Sequence, residues 1–401
     1  MSLTSLRGRI AALGGVIVLL LVAGVWVALT HASAQSTANG TGDGSGSHSA
    51  AKTPTGPLQL VSATPTSGAT GVNGAGDITI TFSAPVATTS PLPTITPSVP
   101  GGWQGAGTDT LEFVPTTGFN PSTQVTVQIP GGAQGVRSEQ GSLLGSTKQL
   151  SFQTGTYQTS RLDQLLAQLG YLPLTWTPMQ GASVPAATDA AGQIAAAYSP
   201  PPGFWTWQPG YPSELQNFWD GGSASGLIVQ GAVMAFEANE GMTMDGVAGP
   251  EVWAALLNAV AAGQNNPNGY TYAIAAENDP ETLTIWHNGE QVLQVLANTG
   301  IEAAPTTLGT APVYLRYRYQ IMRGTNPDGT TYADPVQYVS YFRSGEAVHY
   351  FPRGSYGWPQ SLGCVELDLS DAADAWPYLT YGSLVTVAPG ALTPPGSPTA
   401  G

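Results

Sequence analysis

The sequence predicts a mostly β, multidomain chain with one cluster of helices and an apolar N-terminal membrane helix. Length is the first observation: 401 residues suit two or three domains at roughly 150 residues each. Second, short alternating apolar runs are divided by turn residues, of which the chain holds 51 Gly and 33 Pro. Third, the apolar period becomes helical only between about residues 158 and 263.

Composition narrows the function classes. Lys+Arg is 11 and Asp+Glu is 25, so the net charge is −14, and charged residues make up only 9% of the chain. This is no general nucleic-acid binder, because neutralising phosphates needs a basic surface. The single cysteine excludes a disulfide framework and a Cys-based zinc site. Lysine occurs only as Lys52 and Lys148, which with the Ala/Gly/Pro bias fits a GC-rich bacterial genome.

Residues 1–34 read as a signal-anchor or signal peptide. Arg7 and Arg9 precede Ile10–Leu29, an uncharged run of 20 residues, long enough in helix to span a bilayer core. The arginines hold that end in the cytoplasm and send the rest across. Ala32-Ser33-Ala34 offers a cleavage site. The expected location is therefore extracytoplasmic, anchored in the plasma membrane or secreted into the cell wall. Residues 35–56 form a tether rich in Ser, Thr, Gly and Ala, and 389–401 a flexible tail.

Residues 57–157 are expected to be an Ig-like β-sandwich. Ile78, Ile80 and Phe82 alternate with polar residues, as do Val125, Val127 and Ile129, and Leu150 and Phe152. Pro91, Pro93, Pro100-Gly101-Gly102 and Pro130-Gly131-Gly132 supply the turns. Without a titratable cluster, this part is read as a spacer.

Residues 158–265 change period. Ser160-Arg161-Leu162-Asp163 is expected to be a capping box. Leu162, Leu165, Leu166 and Leu169 then make a stripe that ends at Gly170. Residues 175–226 are an insertion read as a loop carrying Phe204, Trp205, Trp207, Tyr211, Phe218 and Trp219. Val229, Val233 and Phe236 begin a second helix. Pro250 starts a third, burying Trp253, Leu256, Leu257 and Val260. LLAQLGYLPL (165–174) and AVMAFEANEGMTMDGVAGPEVWAALLNA (232–259) resemble the three-helix peptidoglycan-binding domain found beside wall enzymes. The resemblance implies wall binding through the loop aromatics and polar groups around Asp245.

Residues 270–388 return to β, read as a mostly antiparallel sheet structure. Tyr270, Tyr272 and Ile274 alternate; Pro312–Tyr319 reads as one strand, Val336–Phe342 as another, and Asp371–Trp376 as a short helical turn. Cys364 stands in Ser361-Leu362-Gly363-Cys364-Val365-Glu366-Leu367, with His349 15 residues upstream. A thiolate is the nucleophile in cysteine chemistry, and an adjacent His takes the thiol proton.

VHYFPRGSYGWPQSLGCVELDL (348–369) resembles the signature of YkuD-type L,D-transpeptidases: a His, a glycine-containing loop, then S-[HR]-G-C-[IV]-R. Thr299-Gly300 and Ala304–Thr310 are similar to that family's upstream "sTG…TPxG" stretch. The resemblance implies a β-rich catalytic domain that forms 3→3 peptidoglycan cross-links through a cysteine acyl-enzyme, with no metal or cofactor. Cys364 would be the nucleophile and His349 the base. The Gly363 and Cys364 amides would hold the oxyanion, and Ser361 would shape the loop or hydrogen-bond the substrate. Arg353, Arg343, Tyr350 and Trp358 would bind substrate. The implied partners are peptidoglycan stem peptides, with carbapenem-type β-lactams as inhibitors. The same thioester also serves an L,D-carboxypeptidase or a transferase with another acceptor, and a catalytically inactive wall-binding protein is the third alternative.

Three positions depart from the motif: Leu362 replaces His or Arg, Tyr350 stands where Gly is frequent, and Glu366 stands where Arg is usual. Arg316, Arg318, Arg323, Arg343 and Arg353 gather in the same stretch. Arg353 or Arg343 is expected to supply the positive charge that Glu366 reverses.

Overall fold

The computed structural model describes residues 56–390 except Ala224. The apolar run 10–29, the cleavage site and almost all of the tether and tail lie outside the described residues. Among the described residues no helix is long and apolar enough to cross a membrane.

The first domain is a sandwich of seven strands: β1 (Leu60–Thr64), β2 (Ile78–Phe82), β3 (Thr94–Thr96), β4 (Gly101–Gln104), β5 (Thr110–Pro115), β6 (Gln124–Ile129) and β7 (Lys148–Gln153). One sheet has the order β1-β2-β5-β4 and the other β3-β6-β7. Alternation decides their inner faces. Ile78, Ile80 and Phe82 of β2 meet Val125, Val127 and Ile129 of β6 in one core with Leu111, Phe113 and Phe152.

The helical region opens with α1 (Thr159–Gln168). The expected capping box is absent. Gln158 occupies the N-cap position with no side-chain hydrogen bond, and Ser160 lies inside the helix. Asp163 does not turn back to the helix start; its side chain is buried. At the other end, Gly170 takes φ +78, and the Tyr171 amide reaches back to the Leu166 carbonyl, a left-handed glycine stop.

The insertion is not a loop. It folds into β8 (Leu174–Pro178), α2 (Ala190–Tyr198) and β9 (Gly203–Trp207), with β8 and β9 paired antiparallel, followed by a 3-10 turn over Ser213–Phe218. Its aromatics mostly pack inward. Tyr211 is buried, and Trp205, Trp207, Phe218 and Trp219 lie against the same core; Phe204 alone of the six is exposed. The expected sugar-stacking platform is thus largely spent on packing. Two helices complete the region, α3 (Leu227–Asn239) and α4 (Pro250–Ala261), the latter with Pro250 at its first position.

The last domain holds β10 (Thr271–Ala276), β11 (Thr282–His287), β12 (Glu290–Leu296), β13 (Gly309–Pro312), β14 (Leu315–Thr325), β15 (Thr331–Arg343), β16 (Glu346–Tyr350), β17 (Val365–Leu367), α5 (Leu369–Ala375) and β18 (Leu384–Ala388). They form two sheets, β12-β11-β10-β18-β13 and β14-β15-β16-β17. Pairing is mostly antiparallel, as expected, but β10–β18 and β16–β17 are parallel.

β10 is buried along its whole length rather than alternately. Tyr272 and Ile274 join the helical core, while Ala273 and Ala275 join the core that faces the second sheet. The alternation of Tyr272 and Ile274 with alanine therefore separates two cores, not a core from solvent. The expected single strand Pro312–Tyr319 is also corrected. It breaks at Val313-Tyr314, where the Val313 amide bonds Ser383 and the Tyr314 amide bonds Tyr341, so its halves serve different sheets.

Candidate active site

β16 and β17 lie side by side and parallel, with His349 opposite Glu366 and Val348 opposite Val365. Cys364 immediately precedes β17, so it is the diagonal neighbour of His349. Diagonal strand neighbours sit roughly 7–8 Å apart, within reach of a long side chain. Both residues line one cavity of about 410 Å³. Period two sends Val348 and Val365 into the core behind the sheet and His349 and Glu366 to the cavity.

His349 is 3% exposed, and its Nδ1 lies 2.9 Å from the Tyr350 carbonyl oxygen. A carbonyl only accepts, so Nδ1 carries the proton and Nε2 is left as a basic lone pair. Burial lowers His349 from the ordinary imidazole value, so the ring rests neutral; the Tyr350 carbonyl and the Glu366 charge oppose the shift, and Arg353 adds to it. Burial pushes the Cys364 thiol up to about 12, with the Glu366 and Glu346 charges adding to the shift. The Sγ lies 3.7 Å from the Gly345 carbonyl oxygen. Cys364 therefore rests as a neutral thiol and His349 as a neutral imidazole in the same cavity; a thiol in that state would need a base to become a nucleophile.

The loop before Cys364 is held by Ser361, which is buried. Its hydroxyl donates to the Cys364 carbonyl at 2.6 Å and accepts the Gly363 amide at 3.1 Å. Ser361 thus shapes the loop, one of its two expected roles. The Gly363 amide is engaged by that hydroxyl, so it is not a free oxyanion donor here, contrary to expectation. Gly363 is needed for its conformation, φ +109, since an added Cβ would meet nothing closer than 3.8 Å.

The Thr299–Thr310 stretch forms the wall behind that loop. Asn298 bridges to Glu366 and Gly300 to Ser361. Thr299 donates its amide and hydroxyl to Glu281, at 2.6 and 2.7 Å. A Cβ on Gly300 would stand 2.2 Å from the Ala304 carbonyl and 2.5 Å from the Thr306 amide. Both are backbone atoms with no room to move, so Gly300→Ala should lower Tm and the rate of cysteine modification together. Unchanged values in a melting curve and a thiol-labelling time course would refute this packing role.

The departures have physical explanations. Arg353 meets Glu366 through two parallel bonds, Nε to Oε2 and Nη2 to Oε1, both 2.8 Å. Its Nη2 also donates to the Gln360 carbonyl, and its guanidinium lies over Phe351, 4.6 Å from the ring centre. The cavity wall therefore keeps an arginine, delivered from the loop instead of from the position after Cys364-Val365. Tyr350 is tolerated because strand alternation points its ring into the core, while its carbonyl holds His349. Leu362 lines the cavity, partly exposed.

Other expected substrate contacts lie elsewhere. Arg343 donates to the Thr307 and Leu308 carbonyls, Trp358 is half exposed, and neither they nor the Tyr350 ring line the cavity. The arginine cluster also disperses. Arg316 stacks on Trp376 at 3.9 Å and Arg318 on Tyr338 at 4.1 Å; Arg323 and Arg353 are the members that reach the cavity. The opposite wall is the β14–β15 hairpin, which brings Gln320, Met322, Tyr332, Asp334 and Tyr341. Sequence reasoning missed these residues, since β-strand alternation marks a face without saying what the face covers.

Residues 271–387 match YkuD, the L,D-transpeptidase catalytic domain. Residues 54–154 match Big_5, a bacterial Ig-like domain. The transpeptidase domain thus contains both Cys364 and His349, with the thiol on the strand-entering loop and the imidazole on the adjacent parallel strand. No curated protein matches the chain. Among solved structures, the L,D-transpeptidase LdtMt1 in complex with imipenem is 15% identical, covering 82% of this chain and 98% of that one, with a TM-score of 0.28. L,D-transpeptidase 3 from Mycobacterium tuberculosis with a faropenem-derived adduct is 16% identical, covering 82% and 97%, with a TM-score of 0.28. The catalytic domain of the E. faecium L,D-transpeptidase is 24% identical, covering 29% and 95%, with a TM-score of 0.27. The domain assignment rests on the family match, not on these superpositions.

Proposed function

We propose that this protein is an extracytoplasmic L,D-transpeptidase that forms 3→3 peptidoglycan cross-links through a thioester on Cys364. The observation that carries the reading is the shared cavity of Cys364 and His349 inside the matched family domain, with Nε2 left free by the Tyr350 carbonyl.

The Cys364 thiol gives its proton to His349 Nε2 as sulfur attacks the carbonyl between the third stem residue, meso-diaminopimelate, and D-Ala. The C–N bond breaks, the imidazolium returns the proton to the departing amine, and a thioester remains. An amine of a second stem then attacks the thioester and gives its proton to His349. The C–S bond breaks and the thiol re-forms. With the Gly363 amide engaged, the Cys364 amide is the proposed oxyanion donor. Arg353 and Arg323 are the proposed partners of stem carboxylates. The helical region is the proposed wall contact, and the N-terminal run the proposed anchor.

Incubation with disaccharide-tetrapeptide tests the reading. Cross-linked dimers with release of D-Ala are expected by mass spectrometry. Tripeptide alone would replace the transpeptidase reading by a carboxypeptidase one, and recovery of unchanged substrate would leave a wall-binding protein. A carbapenem is expected to add its whole mass to Cys364, because β-lactam opening by a thiol expels nothing.

The pH profile tests His349. Because burial holds the imidazole below the ordinary 6.5, kcat/KM should persist below pH 6.5 and fall only in more acidic solution, as Nε2 gains a proton. His349→Ala should remove that acidic limb along with most of the rate, about 10²–10⁴-fold. A full rate in His349→Ala would sink the assignment.

A further inference from the structure

We propose that Asp163 and Asp220 form a binding site for a divalent cation of the calcium class in the helical region, outside the Cys364 cavity. Asp163 carries the proposal. It is 1% exposed, and neither of its carboxylate oxygens has a hydrogen-bond partner. A buried polar group without a partner is costly, and a buried charge far more so. The nearest basic residue in the chain does not answer it: the Arg161 guanidinium donates to Gln164 at 2.9 Å and to Gln193 at 2.6 Å.

The segment that approaches Asp163 runs Asp220-Gly221-Gly222-Ser223. Gly221 and Gly222 take φ +81 and +96. A Cβ on Gly222 would stand 2.1 Å from Asp163 Oδ2, so only glycine lets this backbone touch the carboxylate. Asp220 brings a second carboxylate, whose Oδ1 accepts the Ser223 amide at 2.9 Å. Asp163 is fully enclosed with no donor, and Asp220 stands two residues before the glycine whose backbone touches it; a cation at that contact would supply the missing partner.

The donor set selects the ion. Carboxylate and carbonyl oxygens are hard ligands, and Ca²⁺ takes six to eight oxygens in flexible geometry. No group of three or more His, Cys, Asp or Glu side chains converges among the described residues. The remaining ligands would therefore be backbone carbonyls of the same segment and water. Soft sulfur or imidazole ligation is not on offer here.

Trp219 makes the site testable. Its ring lies 3.8 Å from the position of a Gly222 Cβ, close enough to sensitise a bound lanthanide. Titrating the full chain with Tb³⁺ should give saturable sensitised emission that Ca²⁺ displaces. Ca²⁺ should also raise Tm. Asp163→Asn should weaken Tb³⁺ binding at least about tenfold, since charge count sets affinity in such sites, and should abolish the Ca²⁺ shift in Tm. Asp220→Asn, on an exposed residue, should do the same in a folded protein whose Cys364 reactivity is unchanged, which covers the case in which Asp163→Asn fails to fold. If Asp163 is instead a neutral carboxylic acid, Tb³⁺ emission will not saturate and will be equal in the parent and in Asp220→Asn. Tm will then ignore Ca²⁺, and the proposal falls.

Discussion

Cys364→Ala should abolish covalent capture of a tetrapeptide stem while leaving the fold intact. The side chain lost is small and partly exposed to the cavity, so little packing goes with it. The chemistry goes entirely, because Cys364 is the only cysteine in the chain. Loss of a nucleophile that works as a unit with its base costs on the order of 10⁴-fold or more. Intact-mass measurement of the acyl-enzyme and a melting curve check both halves. A surviving adduct would mean another residue carries the acyl group; a collapsed melting curve would mean the thiol is structural. Cys364→Ser offers a further contrast. A hydroxyl keeps the shape and loses the sulfur nucleophile, so slow or absent acylation with an unchanged Tm is expected.

The second large effect concerns Arg353 and Glu366. Glu366 is 4% exposed and takes both of its side-chain bonds from Arg353. Arg353→Gln strands a buried carboxylate, at a cost of about 2–4 kcal/mol. That sits toward the low end for buried pairs because the guanidinium is partly exposed. A fall in Tm with a slowed Cys364 acylation is expected, since Glu366 also faces His349 across the strand pair and bridges to Asn298. Glu366→Gln should do less harm to stability, because the arginine left over can turn to water. The exchange Arg353→Glu with Glu366→Arg should recover part of the loss. It also places arginine where the YkuD motif usually has it. If the exchanged protein is no more stable than the sum of its single variants, the pair is not coupled.

These two results separate what the chain's residues make legible from what they do not. The sandwich was readable because its strands bury one face each, so alternation survives in Ile78, Ile80 and Phe82. Cys364 and His349 stood out as candidates because the one Cys lies in a glycine loop, downstream of a His, in a stretch that resembles the YkuD motif. Position in the fold was less visible. β10 alternates without exposing a face, because both its sides are covered, and Pro312–Tyr319 concealed a switch between sheets at Val313-Tyr314. The insertion looked irregular because Pro and aromatics break periodicity, yet α2 and the β8–β9 hairpin fold from it.

Local sequence determined the sandwich strands, the stop of α1 at Gly170, the start of α4 at Pro250, and the thiol and imidazole put forward as the site. Those depend on residue type and spacing, which are printed in the chain. Only tertiary structure decided that Arg353 answers Glu366, that the Tyr350 carbonyl and not a carboxylate fixes the His349 tautomer, and that Ser361 occupies the Gly363 amide. Arg353 and Glu366 stand 13 residues apart in the chain, while the Tyr350 carbonyl and the Ser361 hydroxyl reach near neighbours only through the backbone conformation that the folded strand and loop impose. Hydrogen bonds and ion pairs act over about 3 Å, and that distance exists only after folding.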